Sequence, residues 1–220
     1  MESGATGGTI VASVAVKAQA RLCQEAAAIY AKADGTGRRT MDEVEIKFRL
    51  AGPQEHVRLR AALTALGATA HGGEHEQNLL FDDAIGSLGS NGTLLRLRVL
   101  DSGPRARLTY KGQARYDGAI KRREEIEVGI DDGTTMAHLL EALGLQQALT
   151  YEKQRETWRL PGIEVALDTL AFGHFCEIEG DAAAIRDLCA RLSLDERQAE
   201  TAGYPTMARA MQGQGTANRE

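Results

Sequence analysis

The sequence predicts an α+β protein: a closed, eight-stranded antiparallel β-barrel forming a tunnel, with a charged lumen and helices packed outside. Three observations lead there. Nearly every strand-like segment alternates apolar residues with charged ones. A pattern of charged strand, helix and further charged strands occurs twice. The 220-residue chain is 43% apolar and 26% charged, so it can bury one real core while leaving too much charge on the strands for a dry interior on both faces.

The clearest strand runs from Asp42 to Leu50. Val44, Ile46, Phe48 and Leu50 share one face; Glu43, Glu45, Lys47 and Arg49 share the other, about 7 Å apart in steps of two residues. Pro53 sits where a helix can begin, Val57, Leu59, Ala62, Leu63 and Leu66 give it an apolar face, and Gly67 is placed to stop it. Gln77 to Asp82 reads as a strand, preceded by a glycine-rich loop holding His71 and His75 and followed by a Gly/Ser/Asn loop. Leu94 to Leu100 alternates Leu95, Leu97 and Val99 against Arg96 and Arg98, and Arg105 to Lys111 follows a Ser-Gly-Pro turn.

The second round begins at Arg122 to Ile130, with Ile126, Val128 and Ile130 opposed to Arg123, Glu125 and Glu127. A helix follows on Met136, Leu139, Leu140 and Leu143, stopped by Gly144. The two helices end alike, Ala65-Leu66-Gly67 and Ala142-Leu143-Gly144. Strands are then expected over Tyr151 to Leu160, Glu164 to Leu170 and Phe175 to Glu179. Ile185, Leu188, Cys189 and Leu192 mark a further helix, and Pro205 to Met211 begins another. Residues 1–40 form an Ala-rich extension and linker, read as an appended helix or a start foreign to the domain, with the domain itself at 41–212 and a disordered tail at 213–220.

Composition narrows the function. A net charge of −5 argues against a nucleic-acid partner. Three cysteines, Cys23, Cys176 and Cys189, lack metal spacing and suggest free thiols in a reducing, cytoplasmic setting. No stretch is apolar for long enough to span a membrane as a helix. The apolar segment Thr9 to Val16 has no basic residue before it, so it does not read as a signal peptide. His56, His71, His75, His138 and His174 are scattered and read as surface residues, and Trp158 as core or rim.

The charged faces carry the functional argument. Lys47, Arg96, Arg98, Lys111, Arg123, Lys153 and Arg155 supply cations; Glu43, Glu45, Glu125, Glu127, Asp168, Glu177 and Glu179 supply anions. An open sheet with one wet face would satisfy them, but its apolar face would need more cover than the few helices offer. A barrel satisfies both faces. Its lumen would offer carboxylates to a hard divalent cation and guanidinium and ammonium groups to phosphate oxygens. Metal plus polyphosphate is the ligand that such a mixture fits.

These residues also resemble a known family. Glu43-x-Glu45-x-Lys47, Leu95-Arg96-Leu97-Arg98, Thr109-Tyr110-Lys111-Gly112, Glu125 with Glu127, Glu152-Lys153-Gln154-Arg155, Leu167-Asp168 and Glu177-Ile178-Glu179-Gly180 occur in the order seen in the CYTH family, the triphosphate tunnel metalloenzymes. The resemblance spans roughly Met41 to Met211 and is nearest to the class IV adenylyl cyclase branch. It implies an eight-stranded tunnel, Mg²⁺ or Mn²⁺, and a bound triphosphate such as ATP, thiamine triphosphate or tripolyphosphate, in a monomer or homodimer. Glu43, Glu45 and Glu177, then Glu179 and Asp168, are the expected metal ligands, and Glu43, Glu45, Lys47 and Glu177 the expected catalytic set. Lys47, Arg96, Arg98, Lys111, Lys153 and Arg155 are expected to hold phosphate oxygens. Arg123, Glu125 and Glu127 stay ambiguous: the two glutamates could hold a second metal, orient a nucleophile or pair with tunnel cations. Cyclisation of ATP, hydrolysis of a triphosphate and non-catalytic polyphosphate binding all remain open at this point.

Overall fold

The computed structural model describes residues 41–100 and 103–217. The expected Ala-rich extension at 1–40 lies outside the described residues. The elements are β1 (Met41–Leu50), α1 (Pro53–Ala65), β2 (Thr69–Asp82), α2 (Ser87–Ser90), β3 (Leu94–Leu100), β4 (Ala106–Lys111), β5 (Arg115–Asp117), β6 (Ile120–Ile130), α3 (Gly133–Ala142), β7 (Gln146–Leu160), β8 (Ile163–Leu170), β9 (Gly173–Gly180), α4 (Ala182–Arg191) and α5 (Tyr204–Ala217). The strands hydrogen-bond in the order β1-β9-β8-β7-β2-β3-β4-β6, and β6 returns to β1, so eight antiparallel strands close into a barrel. The ninth, β5, hangs on β6 outside the ring.

Closure divides the side chains as the alternation requires. The outward faces of β1, β8 and β9 put Ile46, Phe48, Val165, Leu167, Cys176 and Ile178 against Leu59 and Leu63 of α1 and Ile185, Leu188 and Cys189 of α4. On the other side Leu140 of α3 covers Phe81, Leu97 and Ala106. Fully burying each such side chain contributes roughly 1.5–3 kcal/mol, which an uncovered sheet face would forgo. The matching stops of α1 and α3 are matched in conformation: Gly67 and Gly144 have φ of 79° and 87°, a left-handed turn that glycine adopts without a Cβ clash.

Helix α5 plays a different part. Its Tyr204, Met207 and Ala208 pack on Leu80, Leu149, Tyr151, Leu170 and Phe175, strand residues that share the lumen-facing side. It therefore caps one end of the barrel instead of padding its wall. No helix among the described residues is long and apolar enough to cross a membrane.

The structure corrects several local expectations. Strand β2 begins at Thr69, so His71 and His75 lie on a strand. Pairing with β7 from Thr69↔Arg159 to Asp82↔Gln146, broken by a bulge between Ala70 and Gly73, overrides the poor strand propensity of Gly72 and Gly73. The same ladder extends β7 back to Gln146. His56 is no surface residue: it is 4% exposed, its Nε2 lies 3.1 Å from the Phe175 carbonyl oxygen, and burial lowers its pKa. Helix α5 continues to Ala217, into the first part of the 213–220 stretch expected to be a disordered tail, of which 218–220 lie outside the described residues.

Candidate active site

Antiparallel registry brings the charged faces into one lumen. Glu43, Glu45 and Lys47 of β1, Arg96 and Arg98 of β3, Lys111 of β4, Arg123, Glu125 and Glu127 of β6, Lys153 and Arg155 of β7, and Glu177 and Glu179 of β9 all line a cavity of about 330 Å³. Asp168 of β8 stands behind this surface, 0% exposed. Lys47 lies opposite Glu177, Glu45 opposite both Glu179 and Lys121, Glu43 opposite Arg123, and Lys111 opposite Glu125.

The deeper part is a network of buried ions. Arg155 donates to Asp168 through Nε at 2.7 Å and Nη2 at 2.6 Å, and also to Glu177. Lys153 lies 3.4 Å from Asp168 and 3.3 Å from Glu76; Arg98 lies 3.2 Å from Glu76. Tyr204 donates its hydroxyl to Asp168 Oδ2 at 2.9 Å, and its ring sits 4.2 Å from the Lys47 ammonium, which pairs with Glu177 at 3.2 Å. Burial opposes ionisation of Glu177, but Lys47 and Arg155 hold its carboxyl well below the usual range. Burial and the neighbouring Arg155 push the Lys153 ammonium down to about 8. Burial and the carboxylates of Glu177 and Asp168 keep Tyr204 well above the ordinary phenol value, so it stays a donor.

The outer part is looser. Lys111 bridges Glu43 at 2.5 Å and Glu125 at 2.9 Å, and Lys121 meets Glu45 at 2.5 Å. Glu127 accepts from Thr109 at 3.0 Å and from Arg107 at 3.1 Å. Glu179 is exposed at the rim; partial desolvation, with Glu43 and Glu45 beside it, pushes its carboxyl up to about 7. Some valences stay open. Arg96 is 7% exposed, yet its Nε and Nη2 have no hydrogen-bond partner among the described residues, and neither does Glu43 Oε2. Burying such groups without partners costs free energy, and a ligand that met them would recover it.

The CYTH domain profile matches residues 41–190, more than half of the chain. This protein belongs to the CYTH family. A protein of Methanocaldococcus jannaschii, provisionally named an adenylate cyclase, is 34% identical over 92 residues, 41% of this chain and 52% of the relative. The chain thus spans about half the length of the curated relative it matches. Among solved structures, a Pyrococcus horikoshii protein superposes with a TM-score of 0.64 at 23% identity, over 74% of this chain and 98% of that one. A provisionally named adenylate cyclase from Vibrio parahaemolyticus gives 0.63 at 20%, over 76% and 97%. A Hippeastrum protein, provisionally named an adenylyl cyclase and described as having a dominant triphosphatase activity, gives 0.61 at 22%, over 76% and 95%. These structures share the CYTH fold with this chain.

Whether the CYTH lumen suits a divalent cation can be judged from its donors. Among the described residues no three His, Cys, Asp or Glu side chains gather ready for a metal, because the carboxylates are drawn to lysines and arginines. The chemistry still fits. Glu43 keeps a buried oxygen without a partner, Glu45 and Glu179 lie opposite each other, and a cation would relieve the repulsion felt by Glu179. Asp168 is the least available, since both its oxygens already accept from Arg155.

Several residues of the site escape the sequence pattern. Glu76, 1% exposed, lies one position before the strand that propensity marks out. Asn78 is fully buried beside Arg98 and Tyr151 in the ladders, and neither of its side-chain polar atoms has a hydrogen-bond partner among the described residues. Tyr204 reaches the lumen from outside the barrel strands. The usable signal for the first two was the alternation of Glu76, Asn78 and Leu80 against Gln77, Leu79 and Phe81.

Proposed function

We propose that this protein is a divalent-metal-dependent enzyme acting on a triphosphate, and that it converts ATP to cyclic AMP and pyrophosphate in the manner of class IV adenylyl cyclases. One observation carries the reading: a single closed lumen holds both unpartnered guanidinium nitrogens on Arg96 and an unpartnered carboxylate oxygen on Glu43. A polyanion alone would answer the first and repel the second; a metal-bound triphosphate answers both.

In this reading Lys47, Arg96, Arg98, Lys111, Lys153 and Arg155 hold phosphate oxygens and neutralise charge as it develops. Glu43, Glu45, Glu177 and Glu179 would hold the cation, which would supply Lewis-acid polarisation of the phosphate oxygens. Asp168 keeps Arg155 and Lys153 in position. The ribose 3′-hydroxyl passes its proton to solvent water and its oxygen bonds to the α-phosphorus; the bond to the bridging oxygen breaks, and pyrophosphate leaves with the electron pair. A second reading, attack of water on the terminal phosphorus, draws support from the triphosphatase activity described for the Hippeastrum protein. Incubation with Mg²⁺ or Mn²⁺ and ATP, thiamine triphosphate or tripolyphosphate, followed by product chromatography, tests both. Cyclic AMP with pyrophosphate is expected; release of inorganic phosphate would favour the hydrolase, and no turnover of any of the three would overturn the enzymatic reading.

A further inference from the structure

Asn78 belongs neither to the buried ion network nor to the groups that hold phosphate or metal. Alternation along β2 turns it inward with Glu76, which meets Lys153, and with Leu80, which lines the lumen. It is fully buried, and neither its Oδ1 nor its Nδ2 has a hydrogen-bond partner among the described residues. Two such atoms cost the free protein stability, and a leucine of similar volume would avoid the cost. The amide therefore weakens the barrel unless it serves a neighbour.

That neighbour is Arg96. The ladders set Arg96 of β3 opposite Leu80 of β2, and Tyr151 of β7 opposite Asn78. The Arg96 side chain nevertheless reaches the Tyr151 hydroxyl. It does so by crossing β2 on the diagonal, over the face between Leu80 and Asn78, a span open to a long side chain. Its Nε and Nη2 also lack hydrogen-bond partners among the described residues. A guanidinium with open donors thus passes over a carboxamide with an open acceptor. Arg98, directly opposite Asn78, is already engaged with Glu76 at 3.2 Å.

Phosphate takes parallel N–H groups from one edge of a guanidinium, and the remaining donors need an acceptor behind them. A carboxylate in that place would neutralise the charge meant for phosphate, as Asp168 does to Arg155. An amide oxygen holds the group and leaves its charge intact. We propose that Asn78 is the positioning residue for Arg96: its Oδ1 accepts from the guanidinium and turns the free edge toward phosphate. The inference rests on the reading of the lumen as the triphosphate site.

Calorimetry with tripolyphosphate and Mg²⁺, together with thermal melts of the same full-length proteins, tests it. Asn78→Leu removes both polar atoms at similar volume. It should bind tripolyphosphate roughly tenfold more weakly, the scale of one hydrogen bond to a charged group, yet melt at or above the wild-type temperature. In an Arg96→Ala background the same substitution should change affinity by less than about twofold, because nothing is left to position. Asn78→Asp places a carboxylate under the open donors of Arg96; it should raise the melting temperature, and most of that gain should vanish with Arg96→Ala. Wild-type affinity in Asn78→Leu, an equal loss with and without Arg96, or a lower melting temperature for either variant would overturn the inference, while tripolyphosphate binding by the wild type would keep the triphosphate site standing. Failure of the wild type to bind tripolyphosphate would overturn it together with the reading on which it rests.

Discussion

Replacing Glu76 by Gln keeps the shape of the side chain and removes the anion around which Arg98, Lys153 and Arg155 are arranged, at 3.2, 3.3 and 4.0 Å. Burial alone would raise the pKa of this carboxyl, yet those three cations bring it from 4.5 down to about 2. At 1.36 kcal/mol per pH unit the depression corresponds to about 3 kcal/mol of favourable interaction, near the 3–5 kcal/mol typical of breaking a buried ion pair. For a domain of this size each kcal/mol moves the melting temperature by about 2–4 °C, so Glu76→Gln should melt about 6–12 °C below wild type. Tripolyphosphate should then raise the melting temperature of the variant more than that of wild type, because its oxygens replace the missing anion. The sign with pH follows from a lowered carboxyl: its contribution is complete above the unfolded value of 4.5 and is lost as pH falls toward 2. The gap between variant and wild type should therefore close in acid. Thermal melts across that range provide the assay. An unchanged melting temperature at neutral pH would refute the claim that Glu76 organises the cations of the lumen.

Three further outcomes are expected. Glu43→Gln and Glu45→Gln should each abolish turnover while leaving the fold intact, since each removes a charge proposed to bind the metal at nearly constant shape, although each also lowers the melting temperature by breaking the pair with Lys111 or Lys121; near-normal rates at saturating Mg²⁺ would contradict the metal assignment. Arg96→Ala and Arg155→Ala should both weaken binding of a non-hydrolysable triphosphate, at roughly 1.5–3 kcal/mol per lost charge-assisted bond, with Lys replacements in between. Their melts should differ, because Arg96 has open donors whereas Arg155 neutralises Asp168 and Glu177; a larger stability loss for Arg96→Ala would reverse that assignment. Deleting residues 1–40 should leave activity within a few-fold of the full chain, and an insoluble or inactive product would make the extension part of the domain.

The sequence made the barrel legible because its strands carry ions where an ordinary sheet carries neutral polar groups. Glu43, Glu45 and Lys47 share one face by parity alone, and so do Lys153 and Arg155. The repeated Ala-Leu-Gly helix ends revealed the two halves. What stayed hidden depends on partners remote in the chain. Glu76 becomes recognisable only beside Lys153, its neighbour across the β2–β7 ladder. The first half of β2 is held by that same ladder against the preferences of its glycines. His56 is a core residue because the start of α1 meets the backbone of β9, and nothing local to it announces that contact. The amphipathic start of α5 was visible, but its use as a barrel cap depends on Phe175, Leu170 and Leu149 turning inward at one level.

The ring order explains why two similar halves build an unsymmetrical site. Each half is one strand, one helix and a three-strand meander: β1, α1 and β2-β3-β4, then β6, α3 and β7-β8-β9. The first strand of each half docks on the last strand of the other, β1 on β9 and β6 on β4, and the halves also meet along β1–β6 and β2–β7. Counting four places around the eight-strand ring puts β3 across the lumen from β9, and β4 across from β8. The lumen-facing ions of β3 and β4 are Arg96, Arg98, Arg107 and Lys111; those of β8 and β9 are Glu164, Asp168, Glu177 and Glu179. Structurally equivalent meanders thus carry opposite charge and face each other. A bare polyanion in such a lumen is attracted to one wall and repelled by the other, and a bare cation meets the converse. A metal-bound triphosphate presents charge of the right sign to both walls, and the duplicated architecture sets those walls a barrel's width apart.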